Sequence, residues 1–581
     1  MTLKSVLSSF DQPEKKGFDF HEILRAFTFL DKDELVTSEY MYEVLAFRLV
    51  YIHGESTWGT SYGPMVTNKD QNDNLVCFPS YDEITTEAID YWSNRLDETS
   101  NPLLKMRYAG LVWEFEYKVA NRKHSNDLYN KYVKSLLEVC NGDYCSHFII
   151  TVNVLERLFG LIKANPQLLS DVKAAYKSFE NRHAKDENVR AWASRFLLML
   201  MHKKSFTDEE KGEIVKEHEA RLARLSTSNV GGRVNPWLVK EQVTLLAKYY
   251  DSIQSADDVK RVLNVEEQVF MCEEGNMSAM QMMGNLEQVY REYRLYHLEK
   301  EASRLSIEIQ KFGEKSKAEM QPYQIDFEIP KETFERADLM FGDKALSDEK
   351  RWQNFCTYFI PTVDDEKKSL KQLAESFPLM YISTTNLVDW KGRPISVVGS
   401  YESDPDGQLI LHITQKMELE AYSLRLAINR LLNTKTLTAD KVMNLMIKPS
   451  PVFEEERYDI IKDAIQYFVD AKYDLFCHLI VPQIEYAICN LVEKSGAAVL
   501  KPQRSGNGFQ LRTLDDLLRE QIIAKMFTED GAFYLRLVLT DQRALNIRNL
   551  LCHGLMPPAY FGAGAAARLL HVLSMLGLLR E

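Results

Sequence analysis

An arginine followed four to six residues later by a histidine occurs three times in the 581-residue chain: Arg48 with His53, Arg291 with His297, and Arg548 with His553. These residue types are suited to cutting RNA without a metal ion. That reaction needs a base for the ribose 2′-hydroxyl, an acid for the leaving 5′-oxygen and a fixed cation for the pentavalent phosphate. Histidine titrates near neutrality and serves the first two roles. Arginine presents a planar fork that meets phosphate oxygens two at a time.

The three copies differ in context. Arg291 and His297 fall inside a long helical pattern with no break after it, and Arg48 is followed by leucine, so both pairs are read as structural. The third copy reads Asn546-Ile-Arg548-Asn549-Leu-Leu-Cys-His553-Gly554-Leu-Met-Pro557-Pro558. On a straight helix, positions five apart differ by about 140°, so the two side chains would not face one point. Gly554 and the prolines behind it end the helix beside the histidine. A bend there turns His553 toward the side of Arg548. Asn549 both donates and accepts, so it can orient either side chain or a phosphate. The competing reading is a helix C-terminus capped by a histidine.

Other clusters carry less. Cys140, Cys145 and His147 lie within eight residues, but without zinc-site spacing or a second pair. His21-Glu22 and His218-Glu219 begin like a zinc-protease helix, yet Arg25 and Leu222 stand where the second histidine belongs. Gly562-Ala-Gly564 opens a helical pattern without a preceding strand, and Asp364-Asp-Glu366 reads as part of a solvated charge run. No metal and no cofactor is expected.

The elements that must position the motif are mainly helical. Glycine (25) and proline (18) are scarce, which disfavours an all-β protein rich in tight turns. The expected fold is a mainly α, multi-domain protein with a small β element near 379–415 and a helical bundle at the C-terminus. Apolar residues recur at helical spacing over 148–164, and 282–317 reads as one long helix. Short strands are expected at 379–385, 395–401 and 409–413, separated by Trp390-Lys-Gly-Arg-Pro394 and Asp404-Pro-Asp-Gly407. No fixed repeat is visible, so a regular solenoid is not expected. Pro449-Ser-Pro451 marks a boundary, giving expected domains 1–190 (helical), 191–345 (helical, with the long helix), 346–450 (mixed α/β) and 451–581 (compact, helical).

Charge and cysteine content bound the partners and the compartment. The net charge of −13 leaves no general basic coat, so nucleic acid must meet a local patch. Residues 495–580 hold ten Lys/Arg against six Asp/Glu. Eight scattered cysteines without a Cys-x-x-Cys pair, and no signal-peptide pattern, point to reduced thiols and a cytoplasmic location. The most apolar windows, 145–162 and 475–492, are interrupted by Glu156 with Arg157 and by Glu485, so no membrane span is expected.

At this point the sequence resembles the HEPN superfamily, whose nucleases carry Arg-x4–6-His, often with a polar residue after the arginine. The version here is similar to the bacterial branch related to the endoplasmic-reticulum-membrane-associated RNA degradation protein. Leu479-Ile-Val-Pro482-Gln-Ile-Glu485-Tyr resembles the Pro-Gln-x-Glu helix of that branch, Asn386-Leu-Val-Asp-Trp-Lys-Gly-Arg-Pro its Asp-x-x-Gly turn, and Phe533-Tyr-Leu-Arg-Leu-Val-Leu-Thr-Asp the helix before the catalytic one. The resemblance covers 451–560, more loosely 340–450, and nothing before that. Where relatives carry glycine at 544 or 545, this chain has Ala544 and Leu545. The membrane spans of the eukaryotic relative are missing. The resemblance implies a metal-independent endoribonuclease, a toxin or antiphage defence effector, with Arg548, His553 and Asn549 catalytic and Asn546 and Glu485 supporting. It also implies a homodimer through 451–581, with RNA and a regulatory protein as partners. The alternative is a non-catalytic helical scaffold that binds RNA or dimerises.

Overall fold

The computed structural model describes residues 1–52, 56–69, 75–162, 166–227, 234–321, 328–503 and 506–580. It is 70% helical and 5% strand, the mainly α class expected. His53, and with it the pair it forms with Arg48, lies outside the described residues. The chain divides into two compact units. One comprises Met1–Asn276 with Gly284–Leu305, the other Met277–Met283 with Ser306–Glu581.

The first unit is built by neighbours in sequence. Helices Thr86–Glu98, Pro102–Ala120, Asn126–Gly142, Phe148–Ile162, Pro166–His183 and Val189–Met201 each pack on the next, as do Asp208–Thr227, Pro236–Ser252 and Ala256–Met271. Next-but-one helices also touch. This is the nearest-neighbour packing that solenoids use, made here from helices of unequal length and no fixed repeat. Their starts are legible. Thr85 and Ser125 accept from backbone N–H groups three residues on, and Asn101 and Asn235 cap helices whose first residue is proline.

The expected long helix at 282–317 is two. Ala279–Leu295 ends at His297, whose φ of 58° is left-handed, and Glu299–Glu319 follows. The Leu298 amide reaches back to the Tyr293 carbonyl at 2.8 Å, closing the first helix end. Neither glycine nor proline marks this break, which is why periodicity ran straight through it.

In the second unit the expected strands are partly replaced. The first strand, expected at 379–385, is Thr385–Val388, and Pro378–Tyr381 before it is a short helix; Thr385–Val388 pairs antiparallel with Pro394–Val398 across the turn at 389–393. Residues 409–413 are not a strand. They lie in helix Pro405–Leu419, where the Asp404 carboxylate accepts from the Gly407 amide at 2.9 Å and Pro405 holds the first helical position. The Asp-Pro-Asp-Gly sequence is thus a helix start rather than a turn, and Leu409, Ile410, Ile413 and Met417 fall on its buried face.

The boundary expected at 449–451 lies inside this unit. The hydrophobic core runs without a break from Ala337 to Leu579. Its centre is helix Ala563–Gly577, buried at every residue from Ala566 to Gly577. Ser450 is 2% exposed and donates to the Leu576 carbonyl at 2.8 Å, so Pro-Ser-Pro is a core turn, not a linker. Gly577 faces Met446 so closely that a Cβ would stand 2.9 Å from that side chain. Arg568, also buried, donates to the Met417 carbonyl. Residues 346–450 and 451–581 therefore share one core.

His571 ties the same helix to residue 355. Its Nε2–H donates to the Phe355 carbonyl at 3.0 Å, since a carbonyl only accepts; Nδ1 therefore accepts the Tyr534 hydroxyl at 2.8 Å. The ring is wholly buried and neutral, burial and the nearby Arg568 pulling its pKa down to about 3.

Two outcomes follow. A 451–581 fragment lacks the 337–447 half of its core and is expected to melt without a cooperative transition, checked by circular dichroism. For His571, the folded ring stays neutral to about pH 3, whereas the unfolded ring takes a proton near its ordinary value of 6.5. The unfolded state therefore binds the extra proton, and stability falls as pH drops from 6.5 toward 3, by ~1.4 kcal/mol per pH unit for this group. Urea unfolding at pH 7, 6 and 5 should show a shallow fall from 7 to 6 that steepens toward that slope between 6 and 5, and His571→Gln should be less stable at pH 7 yet flatter with pH.

Candidate active site

Arg548 opens the short helix Ile547–Cys552, and the bend that places it is at Asn546. Asn546 takes φ 49° and ψ 30°, a left-handed conformation that asparagine tolerates better than most residues. The positive-φ residue is thus Asn546 itself, one place after Leu545, and the turn is made without glycine. The Asn546 amide bonds the Leu537 carbonyl at 3.3 Å, folding the helix back on Gln521–Leu539.

Four of the five residues singled out from sequence meet in one hydrogen-bonded network. Arg548 lays its Nε–H and Nη2–H across the two Glu485 oxygens at 2.9 and 2.7 Å. Its Nη1–H donates to the Asn549 side-chain oxygen at 2.9 Å. The Asn549 amide donates in turn to the Asn546 side-chain oxygen at 2.8 Å and the Thr540 carbonyl at 3.2 Å. Arg548, Asn549, Asn546 and Glu485 are all half-buried. The Glu485 carboxylate raises Arg548 above the ordinary arginine range, so the cation is fixed in charge as well as in place. Three of the five guanidinium N–H bonds are engaged, and two remain.

Glu485 is carried by helix Tyr473–Lys494, which packs against Tyr458–Val469 and the central Ala563–Gly577 helix. This is the one described helix long and apolar enough to cross a membrane, with mean hydropathy 1.5; Glu485 alone does not interrupt it as expected. Sixty-one per cent of that stretch is buried inside the fold, as in a core helix.

His553 stands apart from the network. It is the residue at which the helix stops, with φ −94° and ψ 1°, and it is exposed. Gly554, at φ 61°, donates to the Leu551 carbonyl, and Leu555 donates to the Leu550 carbonyl at 2.9 Å. This paired helix end satisfies the last carbonyls and needs glycine for its left-handed step. Among the described residues the imidazole has no hydrogen-bond partner, which leaves it to solvent. The site thus sets a cation locked by its neighbours about one helical turn from an exposed imidazole.

Several basic side chains of 495–580 are held by acidic groups of the same segment, which leaves its net surplus unchanged. Lys501, Arg512, Arg519 and Arg543 pair with Asp516, Glu520, Asp515 and Asp541, and Arg568 is buried. Arg504 lies outside the described residues. Glu366 departs from the solvated charge run expected of it. It is 5% exposed rather than solvated, and accepts from Lys416 while facing His412 Nε2 at 3.1 Å, beside a cavity of about 670 Å³. The other pairs are separate. Arg291 bonds Glu287 in the helix that ends at His297, and Cys140 is a buried thiol whose pKa burial raises.

No protein-family model matches the chain, and no curated protein matches it.

The left-handed step yields a stability test. Asn546→Ala loses the side-chain bond to Asn549 and puts alanine at positive φ, which costs ~1–2 kcal/mol. Asn546→Gly loses only the bond. The glycine variant is expected to melt at the higher temperature of the two by calorimetry, and the reverse order would remove the conformational argument.

Proposed function

We propose that the chain is a metal-independent endoribonuclease of HEPN type, a toxin or antiphage defence effector acting as a homodimer through its C-terminal region. The observation that carries this reading is the Arg548–Asn549–Asn546–Glu485 network ending one helical turn from an exposed His553. In this reading His553 takes the proton from the ribose 2′-hydroxyl and the 2′-oxygen attacks the adjacent phosphorus. Arg548, held by Glu485 and Asn549, stabilises the charge that builds on the phosphorane. The 5′-oxygen leaves with a proton, supplied by the same histidine or its counterpart across the dimer. The product carries a 2′,3′-cyclic phosphate, and DNA, lacking the nucleophile, is not a substrate.

One observation favours the scaffold alternative. Glu485 already neutralises Arg548 through two hydrogen bonds, so a phosphate must use the remaining N–H groups or displace the carboxylate. Incubating the full chain with total RNA in EDTA separates the readings: cleavage supports the nuclease, and binding without cleavage the scaffold.

His553→Ala and Arg548→Ala are each expected to lower cleavage by ~100-fold or more, the usual scale for an acid–base or charge-stabilising group. The double variant should be little worse than either single one, because both act on one transition state. Asn549→Ala should be milder. His297→Ala, at the end of the Ala279–Leu295 helix, should keep full activity. Undiminished cleavage by the double variant would place the active site elsewhere.

A further inference from the structure

The hairpin turn at 389–393 adjoins the candidate site, and it carries an exposed indole. The Trp390 Nε1–H donates to the carbonyl of Leu555, two residues beyond His553, while the side chain remains 36% exposed. The ammonium groups of Lys317 and Lys391 lie 4.9 and 5.2 Å from its ring centroid. The turn that presents this ring is built to be rigid. The Asp389 carboxylate accepts the backbone N–H groups of Lys391 and Arg393, each at 2.9 Å, and Arg393 Nε at 2.7 Å. Gly392, at φ 85°, sits against Gly313 so closely that a Cβ would lie 2.0 Å from the Gly313 carbonyl oxygen. That contact brings Lys317, one turn further along the same helix, to the indole.

We propose that Trp390, Lys317 and Lys391 form a nucleotide subsite for single-stranded RNA. A base next to the scissile bond stacks on the indole, and the two lysines, on flexible stems, move to the flanking phosphates. An exposed aromatic ring with cations around it is the sequence-tolerant means of holding single strands. A duplex keeps its bases stacked on one another and offers no free face. Because the indole is anchored to Leu555, a base stacked on it lies beside the residues that follow His553. This inference rests on the ribonuclease reading for its choice of ligand. The competing role for Trp390 is mechanical, an N–H that merely pins the loop after His553, and the two roles separate experimentally.

The test uses the full chain carrying His553→Ala, so that RNA is bound and not cut. Fluorescence anisotropy would measure the affinity for a labelled single-stranded oligoribonucleotide, its duplex, and the same strand with abasic positions. Trp390→Ala is expected to weaken single-strand binding ~10-fold, the scale of one stacked base, with duplex and abasic binding unchanged. Trp390→Phe keeps a stacking face and loses the N–H, and is expected to bind like the parent. Lys317→Gln and Lys391→Gln should each weaken binding and reduce its salt slope by about one. The subsite is overturned if Trp390→Ala binds like the parent, if its loss is equal on the abasic strand, or if Trp390→Phe loses as much as Trp390→Ala. Should Trp390→Ala fail to fold, the abasic strand decides on the parent chain: equal affinity for intact and abasic strands rejects stacking. Failure of the nuclease reading looks different. A chain with His553 intact that cuts no RNA, yet prefers single strands through Trp390, keeps the subsite and loses the enzyme. His553-dependent cleavage untouched by Trp390→Ala, with unchanged binding, does the opposite.

Discussion

From Ala566 to Gly577 every residue of the last helix is buried, so it presents an apolar surface on all sides that other helices must cover. Helices Asp348–Tyr358, Ala421–Asn433, Tyr473–Lys494 and Gln521–Leu539 do so. Covering one helix from several directions is what joins chain segments more than 200 residues apart, as the bond from His571 to the Phe355 carbonyl shows. It also dictates the polar details. A buried imidazole is tolerable only when neutral and bonded at both nitrogens, which fixes its tautomer and makes this core sensitive to acid.

The candidate site inherits its geometry from that core. Glu485 and Arg548 sit on different helices, 63 residues apart, and they meet because each helix is held by the packing beneath. A half-buried pair of this kind adds only ~1 kcal/mol to stability. Its main effect is to aim the guanidinium, because two parallel hydrogen bonds fix the plane of the fork. The histidine is treated oppositely. A helix end whose Asn549, Leu550 and Leu551 carbonyls accept backbone N–H groups leaves the ring outside the network and exposed.

The same constraint explains where charge resides. The locally basic segment 495–580 pairs four of its cations with its own carboxylates, a few to fifteen residues away in sequence. Cations near the site come instead from elsewhere in the sequence, Lys317 and Lys391 beside Trp390. Local pairing within that segment and tertiary contact at Trp390 together set the electrostatics.

The sequence by itself determined the helical class, the caps and the end of the Arg548 helix. Those features depend on residues a few positions apart: Asn before Pro at helix starts, Gly554 after His553 at a helix stop, and Asp389 with Gly392 at a turn. It marked Arg548 and His553 by type and spacing, and Glu485 by likeness to a motif. Only the tertiary structure decided that Glu485 grips Arg548, that His553 stands outside that grip, and that Pro449-Ser-Pro451 is a core turn. It also decided that 409–413 is helical and that the helix through 282–317 breaks at His297. The reason is physical. Strand and helix compete closely for a short apolar run, and a left-handed residue other than glycine leaves no mark in composition. A core shared across hundreds of residues is stabilised by contacts that no local pattern encodes.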